Sequence, residues 1–214
     1  MRRRREWIIV ASVAAATAVL LYFLPLFHVV PLDQARQRSE GTAIDPVALV
    51  DRFWAERWTS SAARAVDAVD LMTAVQQDRK SARRTHSRSV GVGGAYYYLV
   101  AGTGRVTSVE KDSVRLSLRD GQPQMEVALE TGNIFGNAVR DGTGLWNVND
   151  FPNSQDFNAL SSELNHRIEQ QVVPALRKEA TVGAKVRFVG CAEIMDEETD
   201  LHPLRIVPFI VEAP

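Results

Sequence analysis

A single cysteine, Cys191, stands in a chain of 214 residues. No intramolecular disulfide can therefore hold the fold, and Cys191 fits best as a small apolar side chain in a strand. Histidine is also sparse. His28, His86, His166 and His202 are scattered, and none is spaced from another as a metal pair. The sequence contains no Gly-x-Ser-x-Gly elbow, no His-Glu-x-x-His and no Gly-x-x-x-x-Gly-Lys phosphate loop. Gly91-Val92-Gly93-Gly94 precedes an expected strand instead of following one, so it lacks the setting of a dinucleotide loop. These absences lead to the expectation of a non-enzymatic protein with no catalytic residue, no metal and no cofactor.

Charge of one sign is missing too, since 25 Lys and Arg face 26 Asp and Glu. The balance is uneven along the chain. Between 8 and 30 there is no Asp, Glu, Lys or Arg, and Arg2, Arg3, Arg4 and Arg5 stand just ahead, offset by Glu6. The remaining 21 basic and 25 acidic residues of 31–214 leave a net charge of −4 there. That excludes a basic nucleic-acid surface. An uncharged stretch of 23 residues rises about 35 Å as a helix, against a hydrocarbon core of about 30 Å. The expectation is a signal-anchor: a transmembrane helix over 8–30, with Trp7 at the inner interface and Pro25 bending the outer third. The arginine flank at 1–7 puts the N-terminus in the cytoplasm and the C-terminal domain in the periplasm, as a single-pass protein of the bacterial inner membrane. A cleaved signal peptide is the competing reading. It is disfavoured because the small residues Ala14 to Ala18 come early and the distal end, Leu24-Pro25-Leu26-Phe27-His28, is bulky.

Beyond a polar tether at 31–44, the pattern becomes helical over 45–90. Asp45-Pro46 is a helix start. Val47, Val50, Phe53 or Trp54, and Trp58 predict an amphipathic helix over 46–58, and a second is expected over 61–81. Arg79, Lys80, Arg83, Arg84, His86 and Arg88 form a basic run, read as a solvated helix end in preference to an anion contact. From Tyr96 the period changes to two. Strands are expected over 96–110, 114–118 and 125–129, the first interrupted at Gly102-Thr103-Gly104 by a bulge or bend. A loop over 131–153 leads to a helix over 156–179, kinked by Pro174, and strands at 185–194 and 204–212 close the chain. The fold class is α+β: a transmembrane helix, two helices, then an OB-like five-stranded β-barrel over 91–214 with a helix between strands three and four. An open sheet with the same element order is the alternative.

The densest polar stretch runs from Trp146 to Asn158 (WNVNDFPNSQDFN). Amides and carboxylates beside aromatics suit sugar hydroxyls and the apolar face of a sugar ring, so Trp146, Asn149, Asp150 and Asn153 are the candidate ligand-binding residues. The same residue types also cap helices and hold irregular loops, with Ser154 or Asp156 as the expected cap. A hydrolase would need Asp141, Asp150 and Asp156 to converge on one cleft.

With the anchor, the helix start at Asp45, YLVAGTGRV (98–106), NDFPNSQDFNALSSEL (149–164) and KVRFVGCA (185–192) together, the chain resembles a bacterial family of predicted periplasmic lipoproteins of unknown function. The glycine-bearing strand and the NDF…FN segment are the most specific parts. The resemblance implies gene neighbours that encode sugar ABC transporters, hence a partner in sugar uptake or a carbohydrate ligand, and it supplies no catalytic residues. This sequence lacks the lipidated cysteine that the family's description implies, so the uncleaved helix would anchor it. The expected function is that of an accessory or binding module linked to sugar transport. The alternative is an envelope structural or assembly protein acting through protein–protein contacts.

Overall fold

The computed structural model describes residues 44–90 and 94–214, with Trp7 alone ahead of them. The span expected over 8–30 and its flanks therefore lie outside the described residues. Among the described residues no helix is long and apolar enough to cross a membrane.

The Asp45 carboxylate caps helix α1 (Pro46–Ser61), accepting the N–H groups of Val47 and Ala48 at 2.9 and 3.3 Å. Val50, Phe53 and Trp54 are its buried face. The single helix expected over 61–81 is instead several pieces: a 3-10 turn (Ala62–Arg64), strand β1 (Val66–Asp67), helix α2 (Ala68–Gln77) and helix α3 (Arg79–His86). The breaks have one physical cause. Asp67 and Asp78 adopt extended backbone and turn their carboxylates onto the N–H groups of Val69, Asp70 and Ser81. Side chains that offer the backbone such a bond compete with helix continuation. The buried face of α2 is Ala68, Leu71, Met72 and Val75.

Strand β2 (Ser87–Ser89) pairs with β3 (Tyr96–Val109), which is followed by β4 (Ser113–Ser117) and β5 (Glu126–Glu130). Helix α4 (Ala138–Thr143), helix α5 (Ser154–Arg167), a π-turn (Ile168–Val172), helix α6 (Val173–Glu179), β6 (Lys185–Ile194) and β7 (Leu204–Glu212) complete the order. The pairing runs β3-β4-β5-β7-β6 and returns to β3, so five strands close into a barrel. The β5–β7 pair is parallel and the others in the ring are antiparallel. An open sheet is thereby excluded.

The bulge in β3 lies between Val106 and Ser108 against β4, not at the glycines. Gly102 and Gly104 stay in regular register with β6. They serve close approach: a Cβ on Gly102 would stand 2.8 Å from Ala68 Cβ, and one on Gly104 would stand 2.8 Å from Leu116 Cβ. Two apolar clusters result. The barrel interior holds Tyr98, Val100, Val114, Leu116, Val127, Leu129, Phe188 and Ile206 with the buried face of α2. A second layer covers the outside of β6 and β7, where Val189, Cys191, Val207 and Phe209 meet Phe53, Val139, Phe157, Leu160 and Leu164.

The segment 131–153, expected to be loop, contains α4, all six of whose residues are buried. Its Arg140 and Asp141 form a bidentate pair at 2.7 and 3.0 Å, and Arg140 stacks on Phe157 at 3.7 Å. Asn153, rather than Ser154 or Asp156, caps α5. Its Oδ1 accepts the Asp156 N–H at 2.9 Å while its Nδ2 donates to the Asp156 carboxylate at 3.0 Å. The π-turn just before Pro174 accommodates that residue. Proline has no N–H and its ring crowds the carbonyl four residues back, and the wider turn makes room for it.

Candidate functional site

The outer face of β4 and β5 carries polar side chains because alternation sends Val114, Leu116, Val127 and Leu129 inward. Arg115 bonds Glu110 at 2.7 Å, and Arg205 on β7 bonds Glu130 at 3.0 Å. The hydrogen bond from Arg115 holds the Glu110 carboxyl below its ordinary pKa. The loop between β3 and β4 brings Lys111 and Asp112 over one end of this face. There the Asp112 carbonyl accepts the N–H groups of Thr131 and Gly132 at 2.9 and 3.2 Å. Arg177 on α6 ties the same corner together, donating to the Lys111 carbonyl and to the carbonyl and hydroxyl of Thr131. Glu169 in the π-turn accepts the Ile134 N–H at 2.7 Å and so fixes the start of the following loop.

These elements enclose a groove of about 870 Å³. Its walls carry Lys111, Asp112, Glu130, Asn133, Glu169, Arg177 and Arg205, and Phe135 stands at its mouth, 78% exposed. A smaller hollow of about 380 Å³ extends it over Arg115 and Ala128 toward Thr199 and Pro203 in the β6–β7 loop. That loop is held by Asp200, whose carboxylate accepts the N–H groups of Met195 and Asp196, both at 2.9 Å. Burial raises the Asp200 pKa, but these bonds, with that from Thr199, outweigh it and leave the group below its ordinary value. The basic run at 79–88 meets the same loop: Arg79 bonds Glu198 at 2.7 Å, and Arg83 lies 3.8 Å from Glu197 and over the Tyr96 ring. The groove is thus a mixed-charge, hydrogen-bonding surface with one free aromatic face. It lies between the loop after the first barrel strand, the segment that follows the third, and the 169–177 helical stretch. The smaller hollow carries it onto the second and third strands toward the loop after the fourth, the face where barrels of this topology take ligands.

The residues singled out in the sequence sit elsewhere. Trp146 packs into the outer apolar layer, its ring edge-on to Phe53 at 5.4 Å. Asn153 is the α5 cap, while Asn149 and Asp150 are exposed on a 3-10 turn whose cap is Asn147. Asp141 is engaged by Arg140 inside α4, and Asp156 by Asn153, so Asp141, Asp150 and Asp156 occupy separate settings. Among the described residues no three His, Cys, Asp or Glu side chains cluster as a metal site. The groove residues come from four distant segments with no shared motif. The one local signal was Phe135, an aromatic residue between Gly132-Asn133 and Gly136-Asn137.

Ring closure through a parallel β5–β7 pair, with a helix between the third and fourth barrel strands, defines an OB-fold protein. The chain is similar to the crystal structure of an OB-fold protein from Thermotoga maritima MSB8, at 24% identity and a TM-score of 0.71. The match covers 81% of this chain and 100% of that one. Residues 17–212 match the model of the family described as predicted periplasmic lipoprotein (DUF2291), and the chain belongs to that family. No curated protein matches it.

Proposed function

We propose that the protein is a non-enzymatic envelope module that holds a carbohydrate in the groove beside Phe135 and serves as an accessory of a sugar importer. The observation that carries this reading is the exposed Phe135 ring at the mouth of a groove lined by Asn133, Asp112, Glu130 and Arg205. An aromatic face suits the apolar face of a sugar ring, and amide, carboxylate and guanidinium groups suit its hydroxyls. Nucleic acid fits poorly, because Lys111, Arg177 and Arg205 are offset by Asp112, Glu130 and Glu169 along the same walls.

The family description supports a periplasmic setting. The uncharged stretch 8–30 behind four arginines supports a single inner-membrane span with its N-terminus in the cytoplasm. Cys191, the one cysteine in the sequence, is fully buried in the outer apolar layer and offers no lipid attachment point, which supports the apolar stretch 8–30 as the anchor in this reading. The link to an importer rests on the gene neighbourhood that the family resemblance implies.

Thermal unfolding of the full-length chain in micelles, with a panel of monosaccharides at millimolar concentration, tests the binding claim. Stabilisation that Phe135→Ala abolishes supports it, and no stabilisation by any sugar rejects it. A reporter active only outside the cytoplasm, fused after residue 214, tests the topology; silence of that fusion rejects it.

A further inference from the structure

Across Phe135 from the groove lies a second cavity, of about 410 Å³, between the 134–137 loop and one flank of α5. The two share Phe135 and Glu169 as common walls. Their chemistry differs. The groove carries several charges of both signs, whereas the second cavity, apart from the shared Glu169 and His166, presents neutral hydrogen-bonding side chains, Asn137, Asn158, Ser161 and Asn165 among them.

Ser161 is the distinctive member. It is only 5% exposed and its hydroxyl has no hydrogen-bond partner. A serine inside a helix ordinarily returns its hydrogen bond to the carbonyl four residues back. Here that oxygen, on Phe157, accepts Arg140 Nη1 at 3.1 Å instead. A buried hydroxyl left unpaired is unfavourable, so one that lines a cavity is a ready partner for whatever enters.

The neighbouring amides are each half used. Asn158 Oδ1 accepts from Arg140 at 3.2 Å, leaving the Asn158 NH2 group without a protein partner. Asn165 Nδ2 donates to the Gly136 carbonyl at 3.0 Å, leaving the Asn165 side-chain oxygen open. Both amide orientations are fixed by what they bond, since a guanidinium only donates and a carbonyl only accepts. These three side chains thus offer an amide donor, an amide acceptor and a hydroxyl able to do both, beside the Glu169 carboxylate and His166. Neighbouring sugar hydroxyls, each of which donates and accepts, satisfy that set; a phosphate or carboxylate, which only accepts, would leave the Asn165 oxygen unpaired and face the Glu169 carboxylate.

We infer that this cavity is a second subsite for a neutral sugar unit, so that the ligand is a neutral oligosaccharide of at least two units lying across Phe135. The inference rests on the groove being a carbohydrate site.

Isothermal titration of the full-length chain in micelles separates the two claims. The probes are glucose, galactose, maltose and cellobiose, tested against wild type, Asn133→Ala and Ser161→Ala. A disaccharide binds wild type at least about tenfold tighter than its monosaccharide. Ser161→Ala removes that advantage while matching or exceeding the wild-type melting temperature, because it deletes an unpaired polar group. A purely structural serine would leave binding unchanged. If the disaccharide shows no advantage, or keeps it in Ser161→Ala, the subsite is overturned, and the groove reading stands so long as Asn133→Ala still weakens binding. If no saccharide binds wild type, both fall.

Discussion

Removal of the Asp141 carboxylate exposes how the rim of the groove is held. Arg140 and Asp141 are 5% and 6% exposed and face each other through two bonds of 2.7 and 3.0 Å. The remaining guanidinium bonds go to the Phe157 carbonyl at 3.1 Å and to Asn158 at 3.2 Å, so every partner is internal. Asp141→Ala leaves a buried cation with two neutral acceptors and no counter-charge. Breaking one side of such a pair costs about 3–5 kcal/mol. In a domain of this size that lowers the melting temperature on the order of 10 °C. Replacing both residues by apolar ones, Arg140→Met with Asp141→Leu, removes the uncompensated charge and restores most of the loss. Urea unfolding followed by tryptophan fluorescence measures all three proteins. An Asp141→Ala protein within about 1 kcal/mol of wild type would refute the view that α4 is locked by this pair. Because α4 directly follows the loop bearing Phe135 and Asn137, the same variant is expected to weaken the proposed sugar binding.

Other perturbations follow from the geometry. Gly190→Ala places a Cβ 2.5 Å from both Ile206 Cγ2 and the Val207 carbonyl. Gly190 sits at a register irregularity between β6 and β7; overpacking against backbone there costs about 1–3 kcal/mol, and a variant as stable as wild type in urea would contradict it. Burial pushes the Cys191 thiol pKa upward and the side chain is fully enclosed. A maleimide therefore labels it only after denaturation, and rapid labelling of the native protein would oppose this. The folded Asp200 pKa is depressed. The stability Asp200 supplies is thus complete above the ordinary aspartate value, near 4, and is lost as pH falls further through the lowered folded value. Hydrogen exchange at the Met195 and Asp196 amides speeds up in that acid range in wild type. In Asp200→Asn it is already fast at neutral pH; identical profiles for the two proteins would argue against the cap.

The strands were legible because alternation survives wherever one side of a strand faces the barrel interior and the other faces outward. β6 and β7 fall at the expected residues, and β3, β4 and β5 within one. Helix α4 was not, and burial explains why. A helix enclosed on every side has no polar face, so Ala138–Thr143 shows no 3.6-residue period. Its Gly142, which reads as a loop residue, is required because a Cβ there would stand 2.7 Å from Cys191 Sγ. Strands β1 and β2, of two and three residues, are too short to show alternation. The breaks at Asp67 and Asp78 were not legible, because helical spacing of apolar residues suggests one helix over 61–81, and two extended residues with capping carboxylates leave that spacing almost unchanged. The proposed binding face was the least legible part. Lys111, Asn133, Glu169, Arg177 and Arg205 are brought together only by barrel closure and the return of α6. The polar run from Trp146 to Asn153 drew attention because its residues cluster in sequence, and most of that clustering is local capping and packing.

The most direct test is a ring-selective NMR titration of the full-length chain in micelles, with the phenylalanine side chains labelled. The Phe135 signals shift on addition of a neutral saccharide, with amide shifts at Asn133 and Lys111 and none at Asn149 or Asp150. Unmoved Phe135 signals at saturating sugar, or shifts confined to the Asn149–Asp150 turn, would contradict the assignment of the binding face.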